Sequence, residues 1–422
     1  MQDILLKGGR IIDPATNRDE VSDLLISNGI IISFGLDLKP AKGVKVINCD
    51  GKIVVPGLLD IHTHSRIPGQ TDKEDVSTFT KAAIAGGFTR VVCMANTMPV
   101  IDSPEHFKIS SFIKNRGLMN MLEVFQVSAL TKNLDGRELV DLAGMKKVGI
   151  IAASDDGKAI QDPNILIAAL KKCKELKLPV LIHAQDNIIP VYDSGSEYYY
   201  IFMVLKAAEK IGCPIHIQHV SCIESVKLIK IFKVRGLNVT CETCPHYFSL
   251  TKKDFERIGA NAKMNPPLRS EKDREAIVEH LVNGTIDVIA TDHAPHTVKE
   301  KKLPLIDAPF GVIGLETAIA VSFTWLKNIL TVPQIIAKMT VNPAKILNMQ
   351  EPTLKIGMHA DITVIDLAKR KKVIPEKFYS KARNCPWAGK ILQGWPIMTI
   401  KNGIIQMRNG KLLIDKSKPP TS

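Results

Sequence analysis

Between residues 53 and 290, short runs of aliphatic and β-branched residues alternate with longer runs whose apolar positions recur three and four apart. The strand-like runs fall at 53–59, 89–94, 122–127, 148–152, 180–182, 215–218, 238–241 and 287–290. Helical spacing lies between them, as at 163–176, 197–211, 225–234 and 270–282. The last of these opens Ser-Glu-Lys-Asp, a capping residue followed by acids near the positive helix end. Eight strand-like runs, each followed by a helical one, predict an α/β chain closed into a parallel (β/α)8 TIM barrel rather than an open sheet. A further helical run at 332–347 would close it.

The two ends carry a different pattern, short strands separated by turns. These strands are expected at 3–7, 23–27, 29–34 and 45–48, and again at 361–365 and 398–401, with turn pairs Asn402-Gly403 and Asn409-Gly410. They predict one small β-sandwich built from both termini. The expected division is residues 1–53 and 351–422 for the sandwich and 54–350 for the barrel, with 416–422 a loose tail.

Composition adds exclusions. The 56 Lys and Arg outnumber 43 Asp and Glu, giving a net charge of +13. The lysines are scattered in short pairs on helical faces, which describes a solvated surface better than a nucleic-acid stripe, so no nucleic-acid partner is expected. The longest nearly apolar run, 311–325, contains Glu316 and is too short to span a bilayer comfortably. No membrane partner is expected either. Eight cysteines in 422 residues form no disulfide framework, and the first dozen residues lack the apolar stretch of a secretion signal. A cytoplasmic location follows as the expectation.

The chemistry-bearing residues cluster at strand ends. The first run leads into Asp60-Ile-His62-Thr-His64-Ser-Arg66, and residues two apart on a strand face the same way. The second leads into Asn96, the fourth into Asp155-Asp156, the fifth into His183, the sixth into His219, and the eighth into Asp292-His293-Ala-Pro-His296. Any one of these is more often a cap or a satisfied core group than a ligand, and His280 and His359 are read so. Asp155 competes with its neighbour Asp156. The joint occurrence of imidazoles and carboxylates at five strand ends in order points to a metal centre. Six donors, with one carboxylate shared, suit two divalent ions about 3.5–4 Å apart. Imidazole and carboxylate donors favour zinc, with manganese or cobalt also fitting. Cys241-Glu-Thr-Cys244 has zinc-knuckle spacing but no second pair, and is read as two buried thiols.

These motifs resemble the bacterial type I dihydroorotase family of the amidohydrolase superfamily. The resemblance rests on Asp60-Ile-His62-Thr-His64, His64-Ser-Arg66-Ile-Pro-Gly69, Asn96-Thr-Met-Pro99 and Ser154-Asp155-Asp156-Gly157. It extends through Lys263-Met-Asn265-Pro-Pro-Leu-Arg269, Ala290-Thr-Asp292-His293-Ala-Pro-His296 and Ala308-Pro-Phe310-Gly311 to Gly394-Trp395-Pro396, nearly the whole chain. It implies two Zn2+ ions. His62, His64 and Asp292 would hold the first, His183 and His219 the second, and Asp156 and a hydroxide would bridge them. It implies Asp292 as the catalytic base and acid. Substrate contacts would come from His64, Arg66, Asn96 and His296 toward a carboxylate, and from Asn265, Phe310 and Gly311 toward the ring. The implied reaction is the reversible cyclisation of N-carbamoyl-L-aspartate to dihydroorotate in pyrimidine biosynthesis, and the implied partner is that small molecule. A homodimer and association with aspartate transcarbamoylase are compatible with the resemblance.

The chain departs from the family in two places. Most relatives carry Glu where this sequence has Ile67, and the segment 186–212 is shorter than usual. Two other readings compete. One is a hydantoinase, dihydropyrimidinase or allantoinase. Arg66 speaks against it, as does Asp156, because hydantoin-opening relatives generally bridge with a carboxylated lysine. The other is an inactive homologue serving as a structural partner of aspartate transcarbamoylase, against which stands the presence of all six ligands.

Overall fold

Pro56-Gly57 breaks the first strand-like run in two, and that break separates the two halves of the architecture. In the computed structural model, which describes residues 2–110 and 121–413, Ile53–Pro56 joins the strands of the chain ends while Leu58–Thr63 starts the barrel. The run at 53–59 is therefore two strands, not one. The tail at 416–422 lies outside the described residues.

The terminal sheet contains β1 (Ile4–Asp13), β2 (Arg18–Ser27), β3 (Ile30–Gly35), β4 (Lys45–Asn48) and β5 (Ile53–Pro56). From the other end of the chain come β14 (Ile362–Lys372), β15 (Ile391–Lys401), β16 (Ile404–Arg408) and β17 (Lys411–Leu412). The antiparallel pairing of β5 with β14, Ile53 opposite Ile365 and Pro56 opposite Ile362, stitches the two ends together. The sandwich expected from the termini is thus a single nine-stranded mixed sheet, in the order β17-β16-β15-β14-β5-β1-β2-β3 with β4 on β1. It curls so that its turns meet: Ala360 N donates to Gly29 O at 2.9 Å and Gly403 N to Ala360 O at 3.0 Å. A Cβ on Gly403 would lie 2.4 Å from Gly29 Cα, so this contact requires glycine. Ile4, Leu6, Leu24, Val54, Val364 and Ile400 share the core enclosed by the curl.

The barrel runs β6 (Leu58–Thr63), β7 (Phe88–Cys93), β8 (Glu123–Ser128), β9 (Ala152–Ala153), β10 (Leu181–Ile182), β11 (Ile215–Ile217), β12 (Val239–Thr243) and β13 (Val288–Ile289). All neighbouring pairs are parallel. Single bridges Ala153–Val180 and Thr63–His293 join the two four-stranded arcs into a ring. Ile61, Val92, Val127, Ala152, Leu181 and Val288 pack together with Ala344 and Leu347.

The helices Pro163–Leu176, Gly195–Ile211, Ile223–Val234 and Glu271–Val282 lie where the apolar spacing put them, the last capped by Ser270 in a reciprocal box with Asp273. Two runs differ. Val148 ends the helix Leu142–Val148, which Gly149 stops at φ 103°, so the strand expected at 148–152 is only Ala152–Ala153. The closing run at 332–347 is two short helices, Val332–Ala337 and Val341–Ile346, because Thr340 leaves helical geometry at φ −139° and ψ −86°. Among the described residues no helix is long and apolar enough to cross a membrane.

Candidate metal centre

β6 ends with His62 and His64 on one face, and His64 N donates to His293 O at 2.8 Å, tying that end to the segment after β13. Asp156 follows β9, His183 β10, His219 β11 and Asp292 β13. All six meet at one rim. Asp156 Oδ1 lies 3.2 Å from His62 Nε2, 3.5 Å from His183 Nδ1 and 3.6 Å from His219 Nε2, and its Oδ2 is 3.4 Å from His64 Nε2. Asp292 Oδ1 stands 3.0 Å from His64 Nε2 and 3.6 Å from His62 Nε2. Two groups able to hold a metal ion share Asp156: one with His62 and His64, the other with His183 and His219. Asp155 turns the other way and accepts from the backbone of Leu130 and Thr131.

Backbone geometry aims these groups. Arg66, His219 and Asp292 sit at φ 63°, 35° and 47°, a left-handed region that costs a non-glycine residue about 1–3 kcal/mol and recurs at functional sites.

The donor chemistry fits a metal. His62 Nδ1 donates to Glu242 Oε1 at 2.5 Å, His64 Nδ1 to Asn96 Oδ1 at 2.8 Å, and His183 Nε2 to Gln185 Oε1 at 3.1 Å. Each of those three bonds turns the other ring nitrogen toward the cluster as the lone-pair side, the form in which imidazole binds metal, with His64 Nε2 3.0 Å from Asp292 Oδ1 and His183 Nδ1 2.8 Å from His219 Nε2. His62 Nε2 and Asp156 Oδ1 are buried without any hydrogen-bond partner. Among the described residues no lysine or arginine forms an ion pair with Asp156, Asp292 or Glu242. Burial alone would raise the pKa of Asp156, yet the surrounding imidazoles, His62 foremost, hold it well below the carboxylate range. Asp292 is likewise held low against its burial, chiefly by His62 and His64. A buried, anionic, lone-pair-lined pocket calls for a cation.

Arg66 borders this cluster with 8 % of its surface exposed. Burial lowers its pKa to about 10, against the pull of Asp292 and Asp156, so it stays charged at neutral pH. Its Nε donates to Pro295 O at 3.0 Å, and its Nη2 is 3.2 Å from His296 Nε2. That same Nε2 donates to Phe310 O at 2.8 Å. One ring nitrogen cannot both donate and accept, so the Nη2 proton is left for an incoming acceptor. Burial and the neighbouring charge of Arg66 lower the His296 pKa to about 2, keeping that ring neutral.

Asn96 Nδ2 reaches Asp156 Oδ2 at 3.4 Å. Asn265 shares Gln185 Oε1 with His183, at 2.8 Å. Gly311, at φ 134°, packs against Ala294 and His296, and its N donates to Lys263 O at 2.9 Å.

Three residues that touch the cluster were missed in the sequence: Gln185, Glu242 and Gln218, whose Nε2 lies 3.3 Å from His62 Nδ1. Gln185 stands two positions after His183, and the same spacing that paired His62 with His64 would have found it. Glu242 is a lone carboxylate in the strand Val239–Thr243, overshadowed by the flanking cysteines. All eight cysteines are free and buried. His280 lies near Asn283, and His359 bridges to Ile30, both away from the cluster. A separate cavity of about 380 Å³ is lined by Cys173, Cys213, His216, Asn238 and Thr240, and none of the six cluster residues lines it.

The family model described as "Amidohydrolase family" matches residues 53–405. The chain belongs to the amidohydrolase family, whose members are metal-dependent hydrolases. The fold agrees: an L-hydantoinase from Arthrobacter aurescens superposes with a TM-score of 0.89 at 24% identity, covering 98% of each chain. A dihydropyrimidinase from Brevibacillus agri gives 0.87 at 22% identity, over 97% of this chain and 96% of the other. Sequence similarity is stronger to another branch. The chain is 41% identical to a dihydroorotase of Clostridioides difficile (strain 630), over 95% of this chain and 99% of the relative. It is 40% identical to a dihydroorotase of Pelotomaculum thermopropionicum, over 96% and 99%. Within the family it stands among the dihydroorotases, which are cyclic amide hydrolases.

Proposed function

We propose that this chain interconverts N-carbamoyl-L-aspartate and (S)-dihydroorotate plus water, the ring-closing step of pyrimidine biosynthesis, at a centre holding two zinc ions. The observation that carries the reading is a cation-demanding imidazole and carboxylate cluster with the Arg66 guanidinium beside it, its Nη2 proton left for an acceptor. A dihydroorotate carboxylate supplies an anionic acceptor there, whereas an uncharged hydantoin offers only neutral carbonyls. Relatives sharing two fifths of their residues over nearly full length support the same substrate.

In this reading His62, His64 and Asp292 would hold one ion, His183 and His219 the other, and Asp156 would contribute to both. When bound, the ions supply hydroxide at neutral pH and polarise the amide carbonyl. The side chains do the rest. Arg66 and Asn96 bind the carboxylate and orient the ring, while His296, its Nε2 proton held by Phe310 O, lines that side of the site. Asn265 and the backbone of Phe310 and Gly311 hold the opposite side. Asp292 takes the nucleophile's proton on its carboxylate and returns it to the leaving ring nitrogen. In the condensing direction the same carboxylate first takes the proton of the attacking ureido nitrogen and then gives it to the departing oxygen. Eight free cysteines support a reducing cytoplasmic location. Homodimerisation and association with aspartate transcarbamoylase are tested by size-exclusion chromatography with and without that enzyme.

The decisive experiment is metal analysis of the purified protein with an ultraviolet assay of dihydroorotate in both directions. About two zinc ions per chain and turnover both ways are expected. Turnover of hydantoin without turnover of dihydroorotate would replace this reading with a hydantoinase, and a stable metal-free protein with no activity would favour the inactive partner.

A further inference from the structure

Glu242 lies under the cluster, 1 % exposed, and among the described residues bonds no backbone group. Both its oxygens are used. His62 Nδ1 donates to Oε1 at 2.5 Å, and His216 Nε2 donates to Oε2 at 3.2 Å. His216 Nδ1 then accepts from Thr240 Oγ1 at 2.8 Å. Every proton in this chain points toward the carboxylate, so each imidazole is fixed in a single tautomer and a single ring orientation. Thr240 and Glu242 are two apart on β12, and His216 pairs with Thr240 across the β11–β12 ladder. The carboxylate is therefore set by two adjacent barrel strands, while His62 comes from a third.

We propose that Glu242 is a positioning residue for the metal centre: it holds His62 with the Nε2 lone pair turned to the ion, and His216 and Thr240 hold Glu242. This rests on the metal-dependent reading above. A loose His62 ring would rotate about its side-chain torsions, or carry its proton on Nε2, and in either state the ligand is lost. Carboxylates bonded to a ligating imidazole are worth about 10–100-fold in metal affinity.

The test titrates full-length, metal-stripped protein with zinc against a competing chromophoric chelator, comparing wild type with Glu242→Gln. Glutamine keeps the shape but cannot accept from both imidazoles. Zinc affinity falls about tenfold or more in Glu242→Gln, with the metal-free Tm unchanged. Equal affinity in the two proteins overturns the inference and leaves the proposed function standing. So does a drop in metal-free Tm with affinity intact, which marks Glu242 as packing only. A wild-type protein that takes up no zinc overturns both. Should Glu242→Gln fail to fold, His216→Gln carries the same comparison, with a several-fold affinity loss expected and no loss overturning it.

Discussion

Asp292, Arg66 and Glu316 each make a claim that one substitution checks. Asp292 stands 3.0 Å from His64 Nε2 and is proposed to move the proton, so Asp292→Asn keeps the fold and loses about 10²–10⁴-fold in turnover. Circular dichroism and the ultraviolet assay measure the two halves, and wild-type turnover in that variant removes the base assignment. Arg66→Met weakens dihydroorotate binding by about 10–100-fold, the worth of a charged hydrogen bond, and barely alters an uncharged analogue. Equal losses of KM for the two compounds would contradict the carboxylate contact. Glu316 lies away from the chemistry. Burial pushes its pKa from 4.5 up to about 8, although Tyr379 N and Ser380 N donate to its oxygens. Between those two values the folded chain keeps a proton that the unfolded chain releases. Its contribution to stability is complete below about pH 4.5 and is lost as the pH rises through 8. The urea-unfolding free energy of wild type relative to Glu316→Gln therefore declines from pH 5 to 8.5, and parallel curves would show that the pKa is not raised. At this scale the sequence named the six cluster residues through strand-end placement. It did not name Glu242, whose role exists only through His62 on a distant strand.

Elements show where periodicity suffices and where local chemistry overrides it. The four long helices are legible because each buries one apolar stripe, and Ser270 with Asp273 marks a start that the capping chemistry already announced. The short barrel strands are harder, since two or three residues carry little pattern: β9 is Ala152–Ala153, and a left-handed Gly149 decides that Val148 belongs to a helix. The segment ahead of Gly311 is held by side chains from elsewhere. Lys263 Nζ donates to Leu305 O and Ile306 O, and Lys301 Nζ to Pro309 O at 2.8 Å. Gly311→Ala would place a Cβ 2.9 Å from Ala294 O at φ 134° and displace Phe310 O from His296. We expect a loss of about 1 kcal/mol or more in stability and a reduced kcat/KM for dihydroorotate. A variant with unchanged Tm and kinetics would show that the backbone there adapts.

The whole molecule joins a ring of eight parallel strands to a sheet made from both chain ends, and the candidate metal centre gathers residues from the ends of five of those strands. Ions that bind only the gathered arrangement stabilise it by mass action, about 2.7 kcal/mol at a concentration one hundred times Kd. Exhaustive chelation is therefore expected to lower the Tm and abolish turnover, with zinc restoring both, and a Tm indifferent to chelation would argue against a loaded centre. The alternation of strand and helix, the separate style of the two ends and the ligand types at strand ends were all set by residues within a few positions of one another. Local pattern is enough for these because burial of one face and strand-end exposure are local properties. What the tertiary structure alone decided are relations between distant segments. Folding chose Asp156 over Asp155 by giving Asp155 the Leu130 and Thr131 amides, stitched β5 to β14 so that two ends became one sheet, and set Glu242 beneath His62. Each depends on groups 24 to 312 positions apart meeting in a packed interior, and no window along the chain carries that information.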